Sequence, residues 1–177
     1  QAEVAIFGAN YSLPSGSEFR AARAVKADMK RLVEQDFAHF VRMGWTGVRL
    51  SFWGDWECSD KKGNLVVNEH LDVLDHAIAE AGKRGISVLL TPITTYSPAW
   101  PDGKDEDSLP GFSKYYSRDR LCIDPEAIKA SCNYLSQLLQ HRNPYTGRAL
   151  KDEPSIRFIE MINEPWNHGE DRQGMTR

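Results

Sequence analysis

The sequence predicts an α/β fold built on a parallel sheet. Short apolar runs rich in β-branched residues alternate with longer segments of helical period, the pattern of strands joined by crossover helices. Each run is bounded by turn residues or by the end of a helical segment, as buried parallel strands are. Four strands are expected, at Val4–Ala9, Gly47–Phe52, Ile86–Thr91 and Ile156–Ile162.

Between the first two strands, Met29, Leu32, Val33, Phe37, Phe40 and Val41 recur at helical spacing, and Gly44 follows where a helix-terminating glycine belongs. Leu71, Leu74, Ala77, Ile78 and Ala81 define a second helix. Asn68 is its N-cap, and Glu69 and Asp72 lie at the positive end of its dipole. Asp124-Pro125-Glu126 starts a third, with a capping carboxylate and proline in the first turn, leading into Ile128, Cys132, Leu135 and Leu139. No repeat, low-complexity stretch or linker divides the chain, so residues 1–177 read as one domain or one part of a domain. The connection from Pro92 to Ile123 is far longer than the usual ~4–6 residues. It follows a strand, which puts it on the face where α/β folds bind ligands.

Composition narrows the function classes. The chain is 41% hydrophobic with net charge −3, enough apolar content for a real core. Its 22 basic and 25 acidic residues are scattered without a like-charge run, so nucleic acid is not an expected partner. No segment approaches the ~18 consecutive apolar residues of a membrane span, so no membrane partner is expected. The chain begins at Gln1, which fits a precursor freed of its signal peptide and a trimmed recombinant chain equally. A secreted or periplasmic location is the expectation this leaves. The three cysteines include no Cys-x-x-Cys pair, so a zinc site is not expected from them. Cys132 reads as a small core residue, and a disulfide between the loop cysteines Cys58 and Cys122 stays open.

The sharpest chemical signal is Ile159-Glu160-Met161-Ile162-Asn163-Glu164-Pro165-Trp166, an apolar strand running directly into Asn-Glu-Pro. Three strands precede it, Asn10-Tyr11 ends the first, and Gly47-Val48-Arg49-Leu50 lies on the second. In these features the chain resembles the clan A glycoside hydrolases, in the style of families 5, 2 and 42. The resemblance implies a (β/α)8 TIM barrel, of which these residues would supply strands one to four and helices one to three. Residues 1–177 would then be the N-terminal portion of a single catalytic barrel. It further implies that Glu164 is the acid/base, that Asn163 binds the sugar 2-hydroxyl, and that Arg49 hydrogen-bonds the nucleophilic carboxylate. A complete barrel typically needs about 250 residues. The nucleophilic Glu of the clan, at the end of strand seven, is therefore expected outside this chain, and an open half-barrel is expected to favour association.

The chemistry independently needs such residues. Breaking a glycosidic bond takes a proton delivered to the leaving oxygen, and a carboxylic acid with a raised pKa delivers it near neutral pH. Partial burial and a neighbouring carboxylate are the expected causes of such a rise at Glu164. Aromatic rings after the strands would stack on sugar rings. The expected substrate contacts are Asn10, Trp53, Tyr96, Trp100, Trp166 and His168, with no metal or other cofactor. Asp55 and Glu57, in the same loop as Trp53, are placed to bind sugar hydroxyls, but solvated loop carboxylates are the ordinary reading and the one expected here. The expected activity is hydrolysis of a β-glucoside, β-mannoside or β-galactoside, with an oligosaccharide or glycoside as partner. The alternatives are a non-catalytic carbohydrate-binding protein on the same scaffold, and an unrelated metal-dependent barrel enzyme using Glu160 and Glu164 as ligands.

Overall fold

The computed structural model describes residues 5–96 and 111–165. Four strands, β1 (Gly8–Tyr11), β2 (Gly47–Ser51), β3 (Ser87–Thr91) and β4 (Ile156–Ile159), form one sheet in the order β1-β2-β3-β4. All neighbours are parallel, with Asn10 beside Arg49 and Arg49 beside Leu89. A strand order that follows the chain order is the winding of a (β/α) barrel rather than of a doubly wound sheet. It brings the carboxyl ends of all four strands to one rim.

Five helices are described: α1 (Gly16–Ala24), α2 (Met29–Arg42), α3 (Gly54–Glu57), α4 (Glu69–Lys83) and α5 (Pro125–Gln140). Their starts follow the capping chemistry. Asp28, Asn68 and Asp124 accept from the backbone N–H groups of Arg31, Leu71 and Ala127, satisfying donors that a helix start leaves open. Gly44 lies just beyond α2 at φ 75°, a left-handed conformation that suits glycine. Among the described residues no helix is long and apolar enough to cross a membrane.

Val48, Leu50, Val88 and Leu90 point from the sheet into a core completed by Val33 and Phe37 of α2 and by Leu71, Leu74, Ala77, Ile78 and Ala81 of α4. The opposite face, carrying Arg49, Ser51, Leu89 and Thr91, is the concave one, and Phe7 and Phe158 are exposed.

Several expectations shift. The first strand begins at Gly8 rather than Val4, because pairing with β2 starts at Gly8 and Gly47; Val4 itself lies outside the described residues. The fourth strand ends at Ile159 rather than Ile162, where the chain turns toward the site. Helices α1 and α3 were not expected, being short and weakly periodic. Cys132 is exposed, not a core residue: α5 buries Ala127, Ala130, Tyr134 and Leu138 instead. Ile128, Cys132 and Leu135 line an apolar groove with Ile93, Leu121 and Met161. Cys58 and Cys122 are both free thiols, and the Cys58 thiol donates to Asn68 Oδ1.

The α3–α5 junction is the tightest point of this packing. A Cβ placed on Gly54 would lie 1.7 Å from the hydroxyl of Tyr134, whose side chain is fully buried and has no room to retreat. Gly54→Ala is therefore expected to destabilise the chain by about 1–3 kcal/mol through overpacking, read as a lower midpoint in urea unfolding.

Candidate active site

The site is built at the rim where β2, β3 and β4 end. Arg49, on the concave face of β2, reaches across to β4, where its Nε donates to Glu160 Oε2 at 2.8 Å. A second guanidinium nitrogen donates to the same oxygen and to Asn163 Oδ1 at 2.7 Å, and Nη1 donates to Asn10 Oδ1 at 3.4 Å. Thr91, at the end of β3, donates its hydroxyl to Glu160 Oε2 at 2.7 Å. One arginine thus ties β1, β2 and the β4 end together around one carboxylate, a fork geometry that a lysine does not offer.

Glu164 follows four residues after Glu160, in the left-handed region at φ 42°. Such backbone in a non-glycine residue costs of order 1–3 kcal/mol and persists where its surroundings over-determine it. The surroundings here are the Tyr96 hydroxyl, donating to Glu164 Oε2 at 2.6 Å, and the Arg118 guanidinium. Arg118 donates to the Glu164 carbonyl at 2.6 Å and to Oε2 at 3.2 Å, and stacks 5.6 Å from the Tyr96 ring centroid. The Glu164 side chain is 66% exposed. The hydrogen bond from Tyr96, followed by Arg118, holds its carboxyl below the ordinary carboxylate value. This reverses the expected direction. Burial is negligible here, so cationic and hydroxyl donors set the shift.

These groups face a cleft of about 830 Å³ lined by Asn10, Glu18, Arg49, Trp53, Tyr96 and Glu164, among others. Its size suits a short oligosaccharide. Of the expected substrate contacts, Asn10 and Tyr96 are exposed on the cleft. Trp53 lines it but is only 6% exposed, too covered to offer an open stacking face. Its indole packs against Gly16, where an added Cβ would meet the ring at 3.1 Å, and its backbone N–H donates to Ser15 Oγ. Trp100, Trp166 and His168 lie outside the described residues.

The largest departure concerns Asp55 and Glu57, expected to be solvated and found fully buried. Asp55 Oδ1 accepts from the Thr94 backbone N–H at 3.1 Å; Oδ2 accepts from the Thr95 N–H at 3.1 Å and the Ser113 hydroxyl at 2.7 Å. Thr95 sits at φ 65°, a strained conformation for a β-branched residue. The carboxylate that accepts its N–H is what pins it there. The carbonyl of Ile93 then accepts from the Asn163 N–H at 2.8 Å, and that of Thr94 from Asn163 Nδ2 at 3.4 Å. Asp55 therefore fixes the loop that presents Tyr96 and holds Asn163. Burial pushes its carboxyl up to about 6 from the ordinary 3.8, although Ser113, Thr94 and Thr95 pull the other way. Glu57 accepts from the Gly16 N–H at 2.9 Å and so anchors the start of α1. Arg118 and Asp55 carry no local pattern that marks them. Their only sequence signal is position, each on a connection that leaves the carboxyl end of a strand.

The metal-dependent alternative does not suit this arrangement. Among the described residues, no histidine, cysteine or further carboxylate groups with Glu160 and Glu164 as a third ligand.

No family model matches the chain. It is 33% identical over 102 residues to mannan endo-1,4-beta-mannosidase 2 of Arabidopsis thaliana, a stretch that covers 52% of this chain and 22% of that protein. Its fold matches an endo-1,4-beta-mannanase of Rhizomucor miehei with a TM-score of 0.63 at 22% identity, over 90% of this chain and 44% of that one. A glycoside hydrolase family 5 mannosidase of the same organism matches with a TM-score of 0.59 at 18% identity, over 91% and 44%. The chain thus spans less than half the length of these proteins. The described strands and helices are an arc of the (β/α)8 barrel that those structures share. The chain is thus similar in sequence to a plant mannan endo-1,4-beta-mannosidase and shares its fold with a glycoside hydrolase family 5 mannosidase.

Proposed function

We propose that this chain forms part of a glycoside hydrolase acting on β-mannosidic bonds, with Glu164 as the acid/base. The observation that carries the reading is Glu164 itself. It is an exposed carboxyl at the carboxyl-end rim of a parallel barrel sheet, set in strained backbone, bonded to Tyr96 and facing the oligosaccharide-sized cleft. The mannosidase names of the sequence relatives support the mannoside over the glucoside and galactoside also expected from the sequence. Retention of configuration is proposed from the clan resemblance, with the nucleophilic carboxylate supplied from outside these 177 residues.

In this reading Glu164 protonates the leaving oxygen, and its conjugate base then activates water against the glycosyl intermediate. Tyr96 and Arg118 stabilise the charged form before substrate binds. Entry of a sugar that excludes water and takes over the Tyr96 hydroxyl would raise the Glu164 pKa toward that of a working acid. Tyr96→Phe removes the largest contact that lowers the pKa. The alkaline limb of kcat/KM, which reports the acid, is expected to move to higher pH in the complete enzyme; an unmoved limb would detach Tyr96 from the acid's titration. The proposal as a whole is tested by comparing hydrolysis of β-1,4-mannan and β-1,4-glucan, with the product anomer followed by proton NMR. Faster release from mannan with initial β-configured product is expected. Preference for glucan, or initial α-product, would overturn the substrate or the stereochemistry.

A further inference from the structure

We propose that Glu34, His76 and Glu80 form a zinc-type divalent metal site that staples α2 to α4, on the helical layer away from the cleft. His76 and Glu80 stand four residues apart on α4 and therefore share one face. Glu34 projects from α2, which packs against that face. One donor atom from each of the three lies within 4.8 Å of the other two, and Glu34 Oε1 is 3.4 Å from His76 Nε2. Tetrahedral ligands at ~2.0–2.2 Å from a zinc ion are themselves roughly 3.4 Å apart, so small side-chain rotations close the site.

The independent pointer is His76. It is 6% exposed, its ring is walled by Tyr145 at 5.0 Å, and neither ring nitrogen makes a hydrogen bond, the Glu34 carboxylate 3.4 Å from Nε2 being in ion-pair range only. A buried imidazole without a hydrogen bond is costly, and a bound ion is one of the few partners that would satisfy it. A metal takes the lone pair of the neutral ring. Glu80 is buried and already receives Lys83 Nζ at 2.6 Å and Arg84. Each carboxylate oxygen accepts more than one partner, so a coordination position remains, and the two cations offset the charge of the acidic pair. Glu34, with a side chain 50% exposed, gives the ion a path in and leaves a fourth position for water. One imidazole with two carboxylates suits Zn²⁺ better than Ca²⁺ or Mg²⁺, which favour all-oxygen shells.

The experiment is calorimetric titration of ZnCl₂ into the EDTA-dialysed 177-residue chain at pH 7, with thermal unfolding in parallel. One zinc per chain and a raised unfolding midpoint are expected, with no binding of MgCl₂ at the same concentration. His76→Ala and Glu34→Gln are each expected to weaken zinc binding at least tenfold. Glu34 is half exposed, so its variant folds even if the His76 variant does not. Absence of one-to-one binding, or affinity unchanged in Glu34→Gln, would overturn the site, the latter by directing zinc to the thiols Cys122 and Cys132. The outcome is independent of glycosidase activity.

Discussion

Glu164→Gln in the complete barrel is expected to lower kcat/KM on β-1,4-mannan by about 10²–10⁴-fold, the usual worth of a positioned general acid. The amide keeps the shape of the side chain, and its oxygen still accepts from Tyr96 and Arg118, so folding should be spared. What is lost is the transferable proton. Aryl mannosides, whose leaving groups depart without protonation, should therefore lose far less in the glycosylation step. Hydrolysis of the intermediate would still lack its base, so the intermediate should accumulate and azide should restore turnover by attacking unaided. Equal loss on mannan and on aryl mannosides, with no azide rescue, would remove Glu164 from the acid/base role.

The second large effect is expected at Asp55, and it can be read on the 177-residue chain. Asp55→Ala leaves the Thr94 and Thr95 N–H groups and the Ser113 hydroxyl without their acceptor in a buried loop. Unmade buried hydrogen bonds cost about 1–3 kcal/mol each, so a net loss of roughly 2–5 kcal/mol is expected after relief of the buried charge. Urea unfolding monitored by tryptophan fluorescence measures it. The pH dependence carries a sign. Because the folded-state pKa, about 6, lies above the ordinary 3.8, the folded chain holds this proton more tightly than the unfolded one. Its contribution is full below the unfolded value and is lost as pH rises through 6, a difference worth about 3 kcal/mol. Asp75, also pushed up to about 6 by burial despite its bond to His141, acts in the same direction. Asp55→Asn keeps one acceptor oxygen but does not titrate. The stability difference between the Asn variant and the parent should therefore change most between about pH 4 and 6. A difference constant across that window would mean that Asp55 is not the buried acid described.

The strands and capped helices were legible because their causes are local. Alternation marked all four strands, Asn68 and Asp124 marked two helix starts, and Leu71, Leu74, Ala77, Ile78 and Ala81 all proved buried. The Arg49 position on β2, beside Asn10 of β1, was also readable, since parallel pairing brings equivalent strand ends to one rim. Side-chain partners across the sheet were not. Arg49 and Glu160 are 111 residues apart, and nothing near either announces the other. Asp55 was misread for the same reason: a loop carboxylate is ordinarily solvated, and its burial comes from loops about 40 and 58 residues further along the chain. The direction of the Glu164 shift was missed because its causes, Tyr96 and Arg118, both lie on the long connection after β3. Cys132 was misplaced by a helix whose buried face is set by Tyr134 beneath Gly54 rather than by its most apolar stripe.

The cleft around Glu164 is proposed to hold a β-mannoside chain. The most direct test is a ¹H–¹⁵N NMR titration of the labelled 177-residue chain with β-1,4-mannotetraose, using β-1,4-cellotetraose as the comparison. Saturable shifts are expected with mannotetraose at the Asn10, Arg49, Tyr96, Asn163 and Glu164 resonances, and weaker ones with cellotetraose. Shifts confined to another surface, or none at saturating mannotetraose, would contradict it.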